Sequence, residues 1–399
     1  MNIILFDDVK RSDLLPLCYT RPCADLRVGI LTIADKWQHQ TSSEVSFLTQ
    51  DYLSQKHPHT YTSDNYYING RLLPNPELIQ AIKNLEINEE LIDNGILLAS
   101  RSADIKSLVD FSTEIYSEPN FNGSYSIVNF AYDIFSLNGN EIRSDFKLIT
   151  SNRVSAIVSS TNILIGDNIF VEEGATLEAA VLNSTDGPIY IAKDATIMEG
   201  ALIKGPFSLG KGSTIKMGAK IYGDTSIGPK SKIGGEVSNT VVQANSNKGH
   251  EGFLGNSVIG EWCNLGADTN SSNLKNNYAS VKIWNYTKRR FLNSGLQFCG
   301  LIMGDHSKCG INTMFNTGTV VGVSANIFGA AFPRNFIPSF TWGGATGFAT
   351  YSPSKAFETA RIVMERRGVE LDEQEKKILM QIHNDSAEHR IWEKKIINT

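Results

Sequence analysis

Residues 191–237 read IAKDATIMEGALIKGPFSLGKGSTIKMGAKIYGDTSIGPKSKIGGEV. Aliphatic residues recur at every sixth position: Ile191, Ile197, Ile203, Leu209, Ile215, Ile221, Ile227 and Ile233. Four positions after each stands a small or β-branched residue (Ala195, Ala201, Ser213, Ala219, Thr225, Ser231, Val237), with Phe207 as the exception. Six matches neither the helical period nor the alternation of one long strand, and it is the period of a parallel β-helix. Each hexad supplies a short strand and a corner, with the aliphatic side chain pointing into a narrow prism.

Outward from this stretch the period weakens. It begins at Ile165-Gly166 and Val171, and returns at Ile259-Gly260 and Leu265-Gly266. A last run sets Met303, Cys309, Phe315, Val321 and Ile327 six apart. Two stretches, about 239–257 and 267–300, break it, and loops leaving a rigid solenoid are where function is usually mounted. Upstream, residues 1–150 read as a mixed α/β domain. Strands are expected at 2–6, 66–69, 96–99 and 126–130, and helices at 29–37 and 76–85. Alternation of this kind predicts a mostly parallel sheet. The expected division is therefore 1–150, a β-helix over 151–335 and a helical cap over 336–399. In the last segment Ser352-Pro353 starts a helix that Gly368 stops. Asp372, with Glu375 three residues on, starts a second helix running to about 395. Both are expected to cap the end of the solenoid.

The 399 residues hold 37 Lys and Arg against 42 Asp and Glu, a net charge of −5. That balance argues against nucleic acid or membrane as partner. Five cysteines (Cys18, Cys23, Cys263, Cys299, Cys309) form no CxxC pair and predict reduced thiols. The N-terminus lacks the pattern of a signal peptide, so a soluble cytoplasmic protein is expected.

The two interruptions carry the chemistry. The first includes Lys248-Gly249-His250-Glu251-Gly252-Phe253, with His250 nine residues before Ile259-Gly260. The second opens with the run Asn264-Leu265-Gly266-Ala267-Asp268-Thr269, followed by Asn273 and then Val281-Lys282. A histidine titrates near neutrality and suits the removal of a proton from an attacking amine. An asparagine offers donor and acceptor for positioning. In order and spacing these residues resemble the acetyltransferase domains of bifunctional sugar-1-phosphate nucleotidylyltransferase/amino-sugar-1-phosphate acetyltransferases, the archaeal members above all. The resemblance implies a left-handed β-helix that assembles as a homotrimer, with acetyl-CoA as donor and a glucosamine-1-phosphate-like sugar as acceptor. It implies His250 as base, Asn273 as orienting residue and Lys282 as active-site lysine. Relatives carry Tyr where this chain has Phe253, and often where it has Leu274. His306 reads as a surface corner residue, and Arg289 and Arg290 as solvated loop positions.

The N-terminal domain resembles the nucleotidylyltransferase half of the same family. Arg11, Pro16, Arg21 and Pro22 match its entry segment, and Asn69-Gly70 matches its Asn-Gly-Asp strand end. Backbone N–H groups and basic side chains of that segment wrap phosphates. Arg11, Arg21, Arg27, Asn69 and Gly70 are thus the candidate nucleotide-binding residues, with a nucleoside triphosphate and Mg²⁺ as implied partners. Three departures fall on the chemistry. The glycine-rich turn is replaced by Asp7-Asp8, a lysine by Cys23, and the metal-binding aspartate by Arg71. Asp7, Asp8 and Asp133 are what remains as metal candidates. Three readings stay open: an acetyltransferase with or without nucleotidyl transfer, a nucleotidyltransferase on a β-helical oligomerisation or regulatory platform, and a sugar-nucleotide-binding protein without catalysis.

Overall fold

The structure is a computed structural model that describes residues 1–111 and 120–393. By its internal contacts the chain divides into two compact units. The first takes residues 1–14, 20–26 and 31–130, and the second takes 15–19, 27–30 and everything from 131 onward. Helix Asp133–Thr150 therefore groups with the second unit, although the repeat pattern sets the boundary near its end.

The first unit holds a five-stranded sheet in the order Val45–Leu48, Asn2–Phe6, Asn65–Asn69, Ile96–Ser102, Glu90–Asp93. Asn2–Phe6 runs parallel to both neighbours, with Ile4 opposite Ser46 and Tyr67. The other two pairings are antiparallel, so the sheet is mixed and not mostly parallel. One of them is closed by Asn94-Gly95, which takes positive φ at both residues (47° and 75°) and turns Glu90–Asp93 back onto Ile96–Ser102. A two-residue turn of that handedness matches the twist of a hairpin. The strand expected at 126–130 shrinks to Ser126–Ile127, which pairs with Leu72–Leu73 outside the main sheet. The helix expected at 29–37 starts at Ile33, where Thr32 and Asp35 form a reciprocal cap. Pro76–Lys83 is helical as its proline predicts, with the Asn75 side chain accepting from the Leu78 N–H.

The second unit is the predicted solenoid. Among the described residues three faces of nine, ten and eight strands run its length, parallel throughout except for Gly347–Thr350 at the end of the ten. The first includes Phe207–Leu209 and Thr225–Ile227, the second Thr214–Ile215 and Lys232–Ile233, the third Lys220–Tyr222 and Glu236–Ser238. Strand partners stand three hexads apart, as in Ile197 opposite Ile215 and Ile215 opposite Ile233. The aliphatic positions, Ile191 through Ile233 among them, form one continuous buried core.

The first interruption does not leave the prism. Strands Val241–Val242, Asn247–Lys248 and Phe253–Gly255 continue the three faces. The period falters there because one coil is short. Ile227 pairs with Val242 and Ile233 with Lys248, fifteen residues on rather than eighteen. Asn239, Asn245 and Asn256 take left-handed φ of 47°, 53° and 46° near these tightened corners, a conformation asparagine tolerates better than most residues. The second interruption does leave the coil. It forms the hairpin Lys282–Asn285/Arg290–Asn293 before the chain returns at Leu301–Met303.

The tail departs from expectation. Helix Pro353–Glu365 ends at Gly368 (φ 69°), and Asp372 caps Glu373–Asp385 as its sequence predicts. This second helix stops at Asp385 instead of running to about 395, a position outside the described residues. Neither helix covers the end of the prism. They lie along the corner between the first and second faces. Arg367 donates to the Lys230 carbonyl and to Asn247 Oδ1 (2.8 Å), and the His383 ring meets Phe340 edge-on at 5.0 Å. The last second-face strand, Thr341–Gly344, is instead covered by the antiparallel strand Gly347–Thr350. That pairing blunts the sheet edge. His306 at this corner is buried, not on the surface: its ring lies parallel to Trp262, and Nε2 stands 3.9 Å from Glu375 of the second helix.

Candidate functional sites

In the first unit a cavity of about 450 Å³ lies beyond the carboxyl ends of Asn2–Phe6 and Asn65–Asn69. Open α/β sheets bind ligands at that end of their strands. Phe6, Asp8, Lys10, Asn69, Arg71 and Phe111 are among its walls. Its polar residues are locked together. Arg71, fully buried, donates from Nε to Asp8 Oδ1 (2.9 Å) and from Nη2 to Asp8 Oδ2 (2.5 Å). Such a two-point pair is among the strongest side-chain interactions. Asn69 donates to Asp8 Oδ2 (2.9 Å) and accepts the Arg71 N–H (3.1 Å). The Gly70 N–H bonds the Phe6 carbonyl (2.8 Å), so its part is to tie two strand ends.

Asp7 is saturated as well. It accepts from the Cys23 N–H (2.9 Å) and the Thr49 hydroxyl (2.6 Å), and pairs with Arg11 at 3.3 Å. Arg11 also reaches the Tyr52 hydroxyl (2.9 Å), while buried Arg21 stands 3.7 Å from Asp25. Arg27 belongs to the second unit, where it bonds the Gln243 and Ile30 carbonyls. Asp133 stands in the first turn of helix Asp133–Thr150. Among the described residues no three His, Cys, Asp or Glu side chains gather to hold a metal. With both its oxygens engaged by Arg71, Asp8 does not fit Mg²⁺, which needs free oxygen ligands.

In the second unit His250 stands exposed where the second face turns to the third. Among the described residues its ring has no hydrogen-bond partner. Its carbonyl is held by Lys248, a residue the sequence reading passed over. Lys248 occupies an inward prism position, opposite Ile233, and is 2% exposed. Its ammonium donates to the carbonyls of Gly234 (3.0 Å) and His250 (2.8 Å). Burial pulls its pKa down to about 8, with Glu251 and Asp268 opposing that shift. The signal was in the register: 248 falls six residues after Val242 and six before Leu254, both core residues.

Asn273 lies just past Asn270–Ser271 on the third face, one coil on, and donates to Asn256 Oδ1 (2.8 Å). Gly255 brings Asn273 and Phe253 together. A Cβ there would stand 2.6 Å from the Phe253 ring and 2.7 Å from Asn273 Nδ2, so only glycine leaves room for both. Lys282 is elsewhere. It is exposed and lines a separate cavity of about 940 Å³, to which neither His250 nor Asn273 contributes. Arg289 lines that cavity too and pairs with Glu388 at 2.8 Å, so it is not simply solvated. Arg290 is exposed on the hairpin. All five cysteines are free and buried. Burial raises the pKa of Cys263, Cys299 (to about 12) and Cys309, which keeps these thiols protonated and poor as nucleophiles.

Residues 3–154 match the family model described as sugar nucleotidyl transferase. A bifunctional sugar-1-phosphate nucleotidylyltransferase/acetyltransferase of Sulfurisphaera tokodaii is 36% identical over 147 residues, which are 36% of this chain and 36% of that protein. The bifunctional protein GlmU of Methanocaldococcus jannaschii is 36% identical over 87 residues, 22% of this chain and 21% of that protein. A putative uncharacterized acetyltransferase of Escherichia coli K12, YaiX, is 29% identical over 193 residues, 48% of this chain and 78% of that protein. The chain thus spans about a third of the length of the first of these relatives and about a fifth of the second. Among the described residues no helix is long and apolar enough to cross a membrane.

Proposed function

We propose that this chain is a transferase of sugar-nucleotide biosynthesis whose β-helix moves an acetyl group from acetyl-CoA to an amino-sugar 1-phosphate. The observation that carries the reading is His250, exposed at a corner and pinned through its carbonyl by the buried Lys248. His250 takes a proton as the sugar amine attacks the thioester carbonyl. The C–N bond forms, the C–S bond breaks, and CoA leaves as the thiol. Asn273, fixed by Asn256, orients the acceptor, and backbone N–H groups of the glycine-rich corners face the developing oxyanion. We assign Lys282 to an anionic part of a substrate. The similarity to bifunctional and acetyltransferase relatives supports this reading. The functional division proposed is 1–150, 151–335 and 336–399, in a cytoplasmic homotrimer. Release of CoA from acetyl-CoA with glucosamine 1-phosphate as acceptor tests it. His250→Ala is expected to abolish that release, and unchanged release sinks the proposal.

A second reading rests on the cavity at Asp8 and Arg71, in the region that matches the nucleotidyl transferase family. Here Arg71 stands where relatives hold a metal, and the unit binds a nucleotide or sugar phosphate. Pyrophosphate release from a nucleoside triphosphate and a sugar 1-phosphate, measured with and without Mg²⁺, separates transfer from binding alone.

A further inference from the structure

A cavity of about 940 Å³ lies in the second unit, and the acetyl-transfer reading leaves it unused apart from Lys282. Its rim carries four cations, Lys275, Lys282, Arg289 and Arg334, against one carboxylate, Glu388. Arg289 is paired with Glu388, and Lys275 donates to the Ser280 carbonyl. Lys282 and Arg334 are exposed, and among the described residues neither side chain has a partner. A surplus of three positive charges in one concavity stands out in a chain whose net charge is −5. Such a surplus focuses a positive field and favours a multiply charged anion.

The remaining wall is aromatic and already assembled. Trp284 and Phe336 lie face to face at 4.1 Å, and Phe291 meets Trp284 edge-on at 5.4 Å. A preformed aromatic surface offers stacking area without an ordering cost. The volume is that of a small-molecule site and far exceeds the needs of one phosphate. A sugar phosphate would satisfy the cations and leave the aromatic wall wet, whereas an apolar ligand would leave the cations unanswered.

We propose that this cavity, walled by the Lys282–Asn293 hairpin and the segment 388–392, binds the nucleoside diphosphate part of a ligand. The phosphates meet Lys282 and Arg334, and the base lies against the aromatic wall. This chemistry is common to nucleotide sugars and to coenzyme A, and the site holds either whether or not His250 transfers acetyl.

Calorimetry on the full chain with UDP, ADP and CoA tests it, with inorganic pyrophosphate as the ring-free comparison. Saturable binding is expected, with pyrophosphate about five- to a hundredfold weaker because stacking one base contributes about 1–3 kcal/mol. The double variant K282A/R334A, altered only at exposed positions, is expected to lose one site per chain or weaken it at least about tenfold. Trp284→Leu should bring nucleotide affinity down toward that of pyrophosphate. The rank of UDP against CoA identifies the source, and either rank supports the proposal. No saturable binding, or binding whose affinity and stoichiometry survive K282A/R334A, overturns it. Equal affinity for pyrophosphate and nucleotides overturns the assignment of the base.

Discussion

The cavity at Asp8 and the corner at His250 are both regions where the sequence resembles a known catalytic site, and they have diverged in opposite ways. In the first unit every marked charge has been turned inward onto another. Arg71 holds Asp8, Arg11 holds Asp7, and Arg21 sits beside Asp25. At the solenoid corner the marked histidine faces solvent, and the supporting charge, Lys248, is hidden behind it. The difference teaches that matching positions are a poor guide to retained chemistry. Asn69 and Gly70 tie strand ends together. The residue after them, where the resemblance calls for an anion, is the cation Arg71.

The comparison breaks most sharply at His250. Removing a general base typically lowers rate by about a hundred- to ten-thousandfold. His250→Ala should do so for acetyl transfer while leaving any nucleotidyl activity of the first unit in place, and parallel loss of both would show that the two regions do not act separately. Next is Asp8→Ala, which strands a fully buried guanidinium. Breaking a buried pair costs about 3–5 kcal/mol, so the first unit should unfold at markedly lower denaturant than the solenoid. A denaturation curve unchanged by the substitution would mean the pair is not structural. Gly255→Ala sharpens the picture without touching the histidine. The new methyl must displace the Phe253 ring or Asn273, and a one-ångström misplacement can cost about a hundredfold in rate. Acetyl transfer should fall while thermal stability changes little.

The smallest effect is a pH dependence. Lys248 has a folded pKa near 8, below its ordinary value of 10.5. Between those values the unfolded chain binds the proton and the folded chain does not, so stability rises with pH across that window. The stability of wild type relative to Lys248→Met should therefore increase from pH 8 to 10.5, read from urea midpoints. A flat difference would mean that the ammonium is not buried as described.

The prism was legible because its geometry forces the sequence. An inward position every six residues favours an aliphatic chain, and Ile191 through Ile233 obey. The short coil was misread as a loop because its inward positions, Val237, Val242 and Lys248, break both the spacing and the chemistry of the pattern. The tail's path was not legible at all. It is fixed by single contacts such as Arg367 to Asn247, 120 residues apart, which leave no periodicity behind. The antiparallel turn at Asn94-Gly95 was readable from two residues, yet the expectation of alternating strands and helices masked it. The pairing of Asp8 with Arg71 spans 63 residues and shows only as two departures from a family pattern.

A stack of near-identical coils has a problem of counting, since each rung resembles the next and a slipped stack would bury almost the same surface. Lys248 gives this prism an index mark. Its ammonium finds two carbonyls only where Gly234 lies on one side and His250 on the other. One coil out of place, the same charge would sit among isoleucines with nothing to accept its protons, at a penalty of several kcal/mol. The rung that carries His250 is thereby the rung that cannot be miscounted.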